Sequence, residues 1–367
     1  MHFRIARTTL LRQLSSVAGA AQRGASMPIL ENILLHCEGS RLTVKATDLE
    51  IELQCVGDVA AAVADGAITV PSKKLIEIVR ALPDAGEVTV KLSAGKVAIT
   101  CGKGRYTLAT LPATEFPEAM KVEGAQAIRV EAKVLRRVMD RVSVAMAKGD
   151  VRTYLNGMLL KATGAKLECV ASDGHRLAVG EVDLPQRVSA DYSAIVPRKG
   201  IAEIISLLPQ DDTAVTIEAG TGQVRVAVGD TTLTTRLVSG AFPDFERVIP
   251  TGFAGSLSVS AGELREAVRR AALLAEAKYN TLRLSFTQDG IRLHTKAEGQ
   301  GSANEDVAAE TTVPTMEFGI NHHYLADALD GFVGDTARIS VRDASTSLLV
   351  TGAGDTSIRH VVMPMRI

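Results

Sequence analysis

An α+β fold built from three copies of one unit, each with two helices packed on antiparallel sheets, is what this 367-residue sequence predicts. The same order of elements recurs at a spacing of roughly 125 residues, and a fixed period marks a repeated architecture. Within each copy, stretches with apolar residues three and four apart alternate with short runs of period two joined by tight turns. The length agrees, because single cores stop growing beyond roughly 250 to 300 residues.

Each copy opens with an amphipathic stretch, and the spacing predicts helices over 7–23, 131–148 and 260–278. In the second, Val134, Leu135, Val138, Val142 and Met146 share one face and leave Arg136, Arg137 and Arg141 turned outward. A strand and a hairpin follow: 33–35 with 42–48, 158–160 with 167–173, 282–286 with 291–297. The second half of the unit begins at Val70-Pro71-Ser72-Lys73-Lys74-Leu75. It returns as Val196-Pro197-Arg198-Lys199-Gly200-Ile201 and, more weakly, as Ile320-Asn321-His322-His323-Tyr324-Leu325. Proline suits a helix start through its fixed φ and missing donor, so second helices are predicted over 71–82, 197–208 and 321–331. Alternating strands close each copy, and apolar periodicity lapses around Gly124, Gly252 and Gly255. Domains are accordingly expected at 1–122, 128–249 and 256–367.

With 46% apolar and 23% charged residues, the composition is that of an ordinary soluble protein. No apolar run approaches the roughly 18 to 20 residues that cross a bilayer, so no membrane role is expected. Cys37, Cys55, Cys101 and Cys169 are scattered and suggest unpaired thiols in a reducing cytoplasm, and their spacing implies no metal. The stretch 2–23, Arg- and Ser-containing and without acids, also reads like a transit peptide. Its pattern recurs inside the chain, which assigns it to the fold.

Charge is distributed unevenly. The six predicted helices hold 17 Lys or Arg against 9 Asp or Glu, within a chain of net charge −1. If the helices share one side of their sheets, they form a basic layer suited to the regularly spaced phosphates of DNA, a contact blind to sequence. The chain has no Trp and few other aromatics, so the stacking platforms of single-strand binders are missing and duplex contact is favoured.

Catalysis finds little support. Asp173-Gly174-His175-Arg176 contains an acid and a base, yet no third group or carboxylate cluster stands at informative spacing, and Asp48-Leu49-Glu50 occupies the same place in the first copy. Adjacent His322 and His323 point about 100° apart on a helix, which disfavours joint metal ligation. No P-loop glycine pattern is present, so a nucleotide cofactor is not expected. A repeat scaffold that only gathers peptides is the remaining alternative.

Five separated motifs then carry a resemblance. They are 150–158 (Asp150-Val151-Arg152-Thr153-Tyr154-Leu155-Asn156-Gly157-Met158), 172–179 beginning Ser172-Asp173-Gly174-His175-Arg176-Leu177, 196–200, Phe242-Pro243-Asp244, and the terminal Val361-Val362-Met363-Pro364-Met365-Arg366-Ile367. With Met27-Pro28-Ile29-Leu30 and Thr47-Asp48-Leu49-Glu50 they resemble, end to end, the beta sliding clamp of bacterial DNA polymerase III. The sequence departs from that pattern at Thr153, where a second aromatic is common, and at Gly24, where a basic residue is common.

The resemblance implies a DNA-clamp fold, a head-to-tail dimer forming a six-domain ring, and a non-catalytic processivity role without cofactors in the cytoplasm, at the nucleoid during replication. It implies a partner-peptide pocket built from Arg152, Leu155, Ser172, Gly174, His175, Arg176, Leu177, Pro243, Arg247, Val248, Met363, Pro364, Met365 and Arg366, with Asn321 and Tyr324 nearby. Contacts to double-stranded DNA would come from Arg23, Lys73, Arg137, Arg141, Lys148, Tyr154, Arg198, Lys199 and Arg269. The dimer contact would join Lys74, Arg105, Tyr106 and Leu108 to Leu273 and Leu274. Implied partners are the replicative polymerase's catalytic subunit, clamp-loader subunits, and repair and translesion polymerases.

Overall fold

Helices form where the apolar periodicity predicts them, but each is shorter than expected. The computed structural model describes every residue except 23, 25, 277–279, 331, 333 and 367. Its α-helices are α1 (Arg7–Val17), α2 (Ser72–Ala81), α3 (Ala132–Ser143), α4 (Arg198–Leu207), α5 (Ala261–Ala271) and α6 (His322–Leu329). Buried positions repeat at three and four residues, as with Leu10, Gln13, Leu14 and Val17 in α1, and Leu264, Ala267, Val268 and Ala271 in α5. Ser260 and Asn321 cap α5 and α6 by accepting from the Glu263 and His323 amides at 3.3 and 3.0 Å.

The helix ends fall short of the expected bounds for physical reasons that lie far away in sequence. Helix α3 stops at Ser143, not 148, because two arginines take the carbonyls a longer helix would use. Arg176 donates to Val144 O, and Arg198 donates to Met146 O and, at 3.1 Å, to Ala147 O. Helices α1 and α5 tighten into 3-10 turns at Ala18–Ala20 and Ala272–Leu274. Over these α-helices, 14 Lys or Arg stand against 6 Asp or Glu, so the positive surplus survives the shortening.

Every strand pairing between neighbours is antiparallel among the described residues. The chain forms two compact units, Met1–Lys133 with Ala202–Leu237 and Val134–Ile201 with Val238–Ile367. The first holds a five-stranded sheet ending at the edge strand Gly104–Ala109 and an eight-stranded sheet; the second holds one twelve-stranded sheet.

Sheets continue across the sequence repeats. In the first unit, Thr231–Arg236 of the central repeat pairs with Ile51–Asp58 of the first, setting Leu233 opposite Leu53. In the second unit, Arg176–Asp183 of the central repeat pairs with Asp355–Val362 of the third, setting Ala178 opposite His360. The two joints match in detail: the Arg236 amide donates to Glu50 O at 2.9 Å, and the Met363 amide to His175 O at 3.1 Å. Helix α3 packs tightly on its sheet at Gly180, where a Cβ would stand 2.5 Å from Val138 Cγ1. Cys37, Cys55 and Cys169 are buried and unbridged, and burial pushes the Cys169 thiol up to about 12.

Candidate functional site

The hairpin turn Ser172-Asp173-Gly174-His175-Arg176 is tied by its own side chains. Ser172 Oγ donates to Arg176 O at 2.7 Å and accepts from the Gly174 amide at 3.1 Å. Asp173 Oδ1 accepts from the His175 and Arg176 amides at 2.9 and 3.0 Å. The first repeat builds the same turn, with Thr47 and Asp48 in those roles and Leu49 at φ 75° where Gly174 has φ 89°. Asp173 is thus an acceptor of backbone amides, which accounts for it without acid or base chemistry.

Around this turn lies an apolar floor. Leu159, Val170, Leu177, Val179, Ile195, Phe245 and Val361 are buried together, with Tyr154, Val238 and Phe242 packed against them. Leu155, on the 3-10 turn Thr153–Asn156, is also buried. Val248, on the 3-10 turn that starts at the floor residue Phe245, and Met363, tied to His175, are apolar yet exposed, at 39% and 37%. The terminal segment is strapped down by Met365, whose amide donates to Gly319 O at 2.8 Å and whose carbonyl accepts from the Gly319 amide at 3.2 Å. Pro364 is half-buried and Arg366 exposed.

Charged groups at the rim are already engaged. Arg152 forms a two-pronged pair with Asp150 at 3.0 and 2.9 Å, which holds the Asp150 carboxyl down at about 2. Arg176 reaches Asp173 at 3.0 Å and Asp327 at 2.5 Å while its guanidinium lies 4.4 Å from the centre of the Tyr324 ring. Arg247 pairs with Asp244 at 2.7 Å on an otherwise open side chain, and Pro243 lies just before it. Asn321 spends its side chain on the α6 cap. The fold therefore brings Ser172, Gly174, His175, Arg176, Leu177, Tyr324 and Met363 into one neighbourhood. Phe242, Phe245 and Asp327 join them. Sequence reading missed these three, although Phe242 lies in a quoted motif.

Some proposed DNA contacts land elsewhere. Lys148 follows the end of α3, and Tyr154 sits on a 3-10 turn packed against the apolar floor, so neither lies on a helix. Arg198 is half-buried and committed to carbonyls, a cap rather than an outward cation. Arg23 lies outside the described residues. Lys73 and Arg80, with Glu31 and Glu77, edge a cleft of about 410 Å³ beside α1 and α2. Arg137 approaches Asp355 at 4.0 Å, Arg141 pairs with Asp330 at 2.8 Å and Arg269 with Glu266 at 2.9 Å, while Lys199 is half-buried on α4.

Two of the open sheet edges carry the residues of the implied dimer contact. On the strand Gly104–Ala109, Arg105 and Tyr106 are exposed and Leu108 half-buried; Lys74, on α2, pairs with Glu77 at 3.0 Å. The strand Gly301–Thr311 is paired on one side throughout 301–308, but on its other side only at 309–311. Leu274 borders that open stretch, 3.9 Å from where a Gly301 Cβ would stand, and Leu273 beside it is 77% exposed. Leu273 is thus no core leucine.

Three repeats of two helices on antiparallel sheets, joined edge to edge, define the clamp class of fold. Models of the DNA polymerase III beta subunit match the chain three times, as its N-terminal domain over residues 1–121, its central domain over 129–244 and its C-terminal domain over 246–366. The chain is 40% identical over 369 residues to the beta sliding clamp of Pseudomonas aeruginosa, with 100% of both chains covered. The solved DNA polymerase III subunit beta of that organism superposes with a TM-score of 0.97 at 39% identity over 100% of both chains. A Caulobacter crescentus beta sliding clamp gives 0.95 at 34%, covering 100% of this chain and 99% of the other. The chain belongs to the DNA polymerase III beta subunit family, the beta sliding clamps. That family is a non-catalytic processivity subunit.

Proposed function

We propose that the protein is a DNA sliding clamp: a head-to-tail homodimer of three-domain chains (1–122, 128–249, 256–367) that closes a six-domain ring around duplex DNA. It tethers the replicative polymerase and confers processivity, with clamp-loader subunits and repair and translesion polymerases docking in turn. Its place is the cytoplasm, at the nucleoid during replication.

The pattern of joints carries this reading. Two junctions between repeats are antiparallel strand pairs, and two strands of the matching kinds, Gly104–Ala109 and Gly301–Thr311, are left open. One is a donor edge for the other, so a second copy completes the series, and a heterologous contact of this kind closes a ring when its rotation closes. The turn positions align Leu49, Gly174 and Gly299, all with positive φ. Carrying the register of the internal joints across would set Gly301 opposite Leu108 and Ala303 opposite Tyr106. Leu273, Leu274, Tyr106 and Leu108 supply apolar cover there. The pocket around Leu155, Leu177, Val248 and Met363 would take a leucine or aromatic anchor, its polar rim fixing orientation. Lys73, Arg137, Arg141, Lys199 and Arg269 would meet phosphates.

Loading the protein by a clamp loader onto nicked circular DNA tests the topology. A linked ring stays bound as salt is raised and is lost when the circle is cut. Loss of the bound protein with salt before cutting, as for ordinary phosphate binding, would overturn the reading.

A further inference from the structure

The geometry points to Asp330 as a built-in brake on DNA contact, a carboxylate that occupies two arginines the duplex would otherwise engage. The inference rests on the reading that α3 and α5 face DNA.

Asp330 caps the end of α6, and its two oxygens serve different helices. Oδ2 accepts from Arg141 of α3 at 2.8 Å, and Oδ1 accepts from Arg265 of α5 at 2.7 Å. Arg141 is 27% exposed, Arg265 45% and Asp330 50%, so the triad lies at the surface where a phosphate could compete. Arg141 Nε is buried without a hydrogen-bond partner, which leaves Asp330 as the group that orients this guanidinium.

Repeat symmetry makes the carboxylate conspicuous. Counted from the helix start, Asp330 holds the ninth position, where α2 has Arg80 and α4 has Ser206. The third repeat thus reverses a charge on a layer that otherwise carries a positive surplus. At the helix starts it also has His322 and His323 where the other repeats have Lys73 with Lys74 and Arg198 with Lys199. A helix can be weakly basic through few cations, or through cations held by an internal acid. The bidentate arrangement is of the second kind. It keeps Arg141 and Arg265 available at an energetic step, because each phosphate contact must displace an exposed ion pair, and exposed pairs exchange easily. Weak, rapidly exchanged phosphate contacts are what a ring that translates along DNA requires.

The test uses the full-length dimer with Asp330→Asn, which keeps shape and removes charge. Binding to a short duplex of mixed sequence is measured across salt, together with the time a loaded ring takes to leave linearised DNA. Freeing one or two phosphate-seeking arginines adds about 0.9 to 1.8 to the salt slope, so affinity falls by a further factor of about 3 to 12 between roughly 50 and 200 mM salt. Loaded rings leave more slowly, and adding Arg141→Ala with Arg265→Ala cancels both effects. Should the amide not fold, as read by its melting curve, Asp330→Ser repeats the measurement. If Asp330→Asn matches the parent while Arg137→Ala weakens duplex binding, the brake is refuted and the helix-face reading stands. If Arg137→Ala, Arg141→Ala and Arg265→Ala all leave duplex binding unchanged, the helix-face reading falls and the brake falls with it.

Discussion

Two equivalent turn residues, Leu49 and Gly174, differ in what surrounds them rather than in backbone. Leu49 is 40% exposed at φ 75°, whereas a Cβ on Gly174 would meet Arg152 Nη2 at 2.9 Å. Gly174→Ala should therefore cost about 1 kcal/mol from the positive φ. It should also push Arg152 off Asp150 and weaken partner-peptide affinity, both checked by melting and by peptide titration. His360 gives a pH prediction. Burial first, then Arg176 and Arg141, push its imidazole down to about 4 from the ordinary 6.5. The unfolded chain takes up this proton below 6.5 and the folded chain only near 4, so stability is complete above that window. It is lost as pH falls through it, by up to about 1.4 kcal/mol per unit. Denaturation of His360→Gln at pH 7 and about 5 should show a shallower acid loss than the parent; parallel curves would contradict the assignment. Glycine and histidine were legible as residue types. Their surroundings were not, because Arg152 and Arg141 approach from elements distant in sequence.

Helices were easy to find and hard to end. Val138 and Val142 at helical spacing announce α3, but its last turn is decided by Arg176 and Arg198, whose carbonyl contacts no local pattern encodes. The same blindness hid the commitment of Arg198 to the Met146 and Ala147 carbonyls and the packing of Tyr154 on the apolar floor. The pocket's membership came from motif resemblance, and its floor needed the fold, since Phe245 meets Leu159 and Val361 only after the sheets join. The terminal segment is an element in its own right, held at Met363 and Met365 by His175 and Gly319. Deleting residues 363–367 should abolish partner-peptide binding in a titration while the dimer persists in sedimentation. Unchanged peptide affinity would remove the segment from the pocket.

Assembly depends on edges at the scale of the whole molecule. Leu273, which is exposed, and the half-buried Leu274 flank the open strand Gly301–Thr311, so replacing both by Ala should move sedimentation toward monomer. An unaltered dimer would shift the interface elsewhere. Threefold repetition was plain in the sequence, whereas the merging of sheets was not, because alternation in a strand tells which face is buried and never which neighbour it finds. That merging has a further outcome for the central repeat. Its strands Arg176–Asp183 and Thr231–Arg236 each finish a sheet begun by another part of the chain. Excised and expressed alone, this segment would present two raw, mutually complementary flanks, and copies of it should join head to tail into closed hoops instead of remaining a lone module.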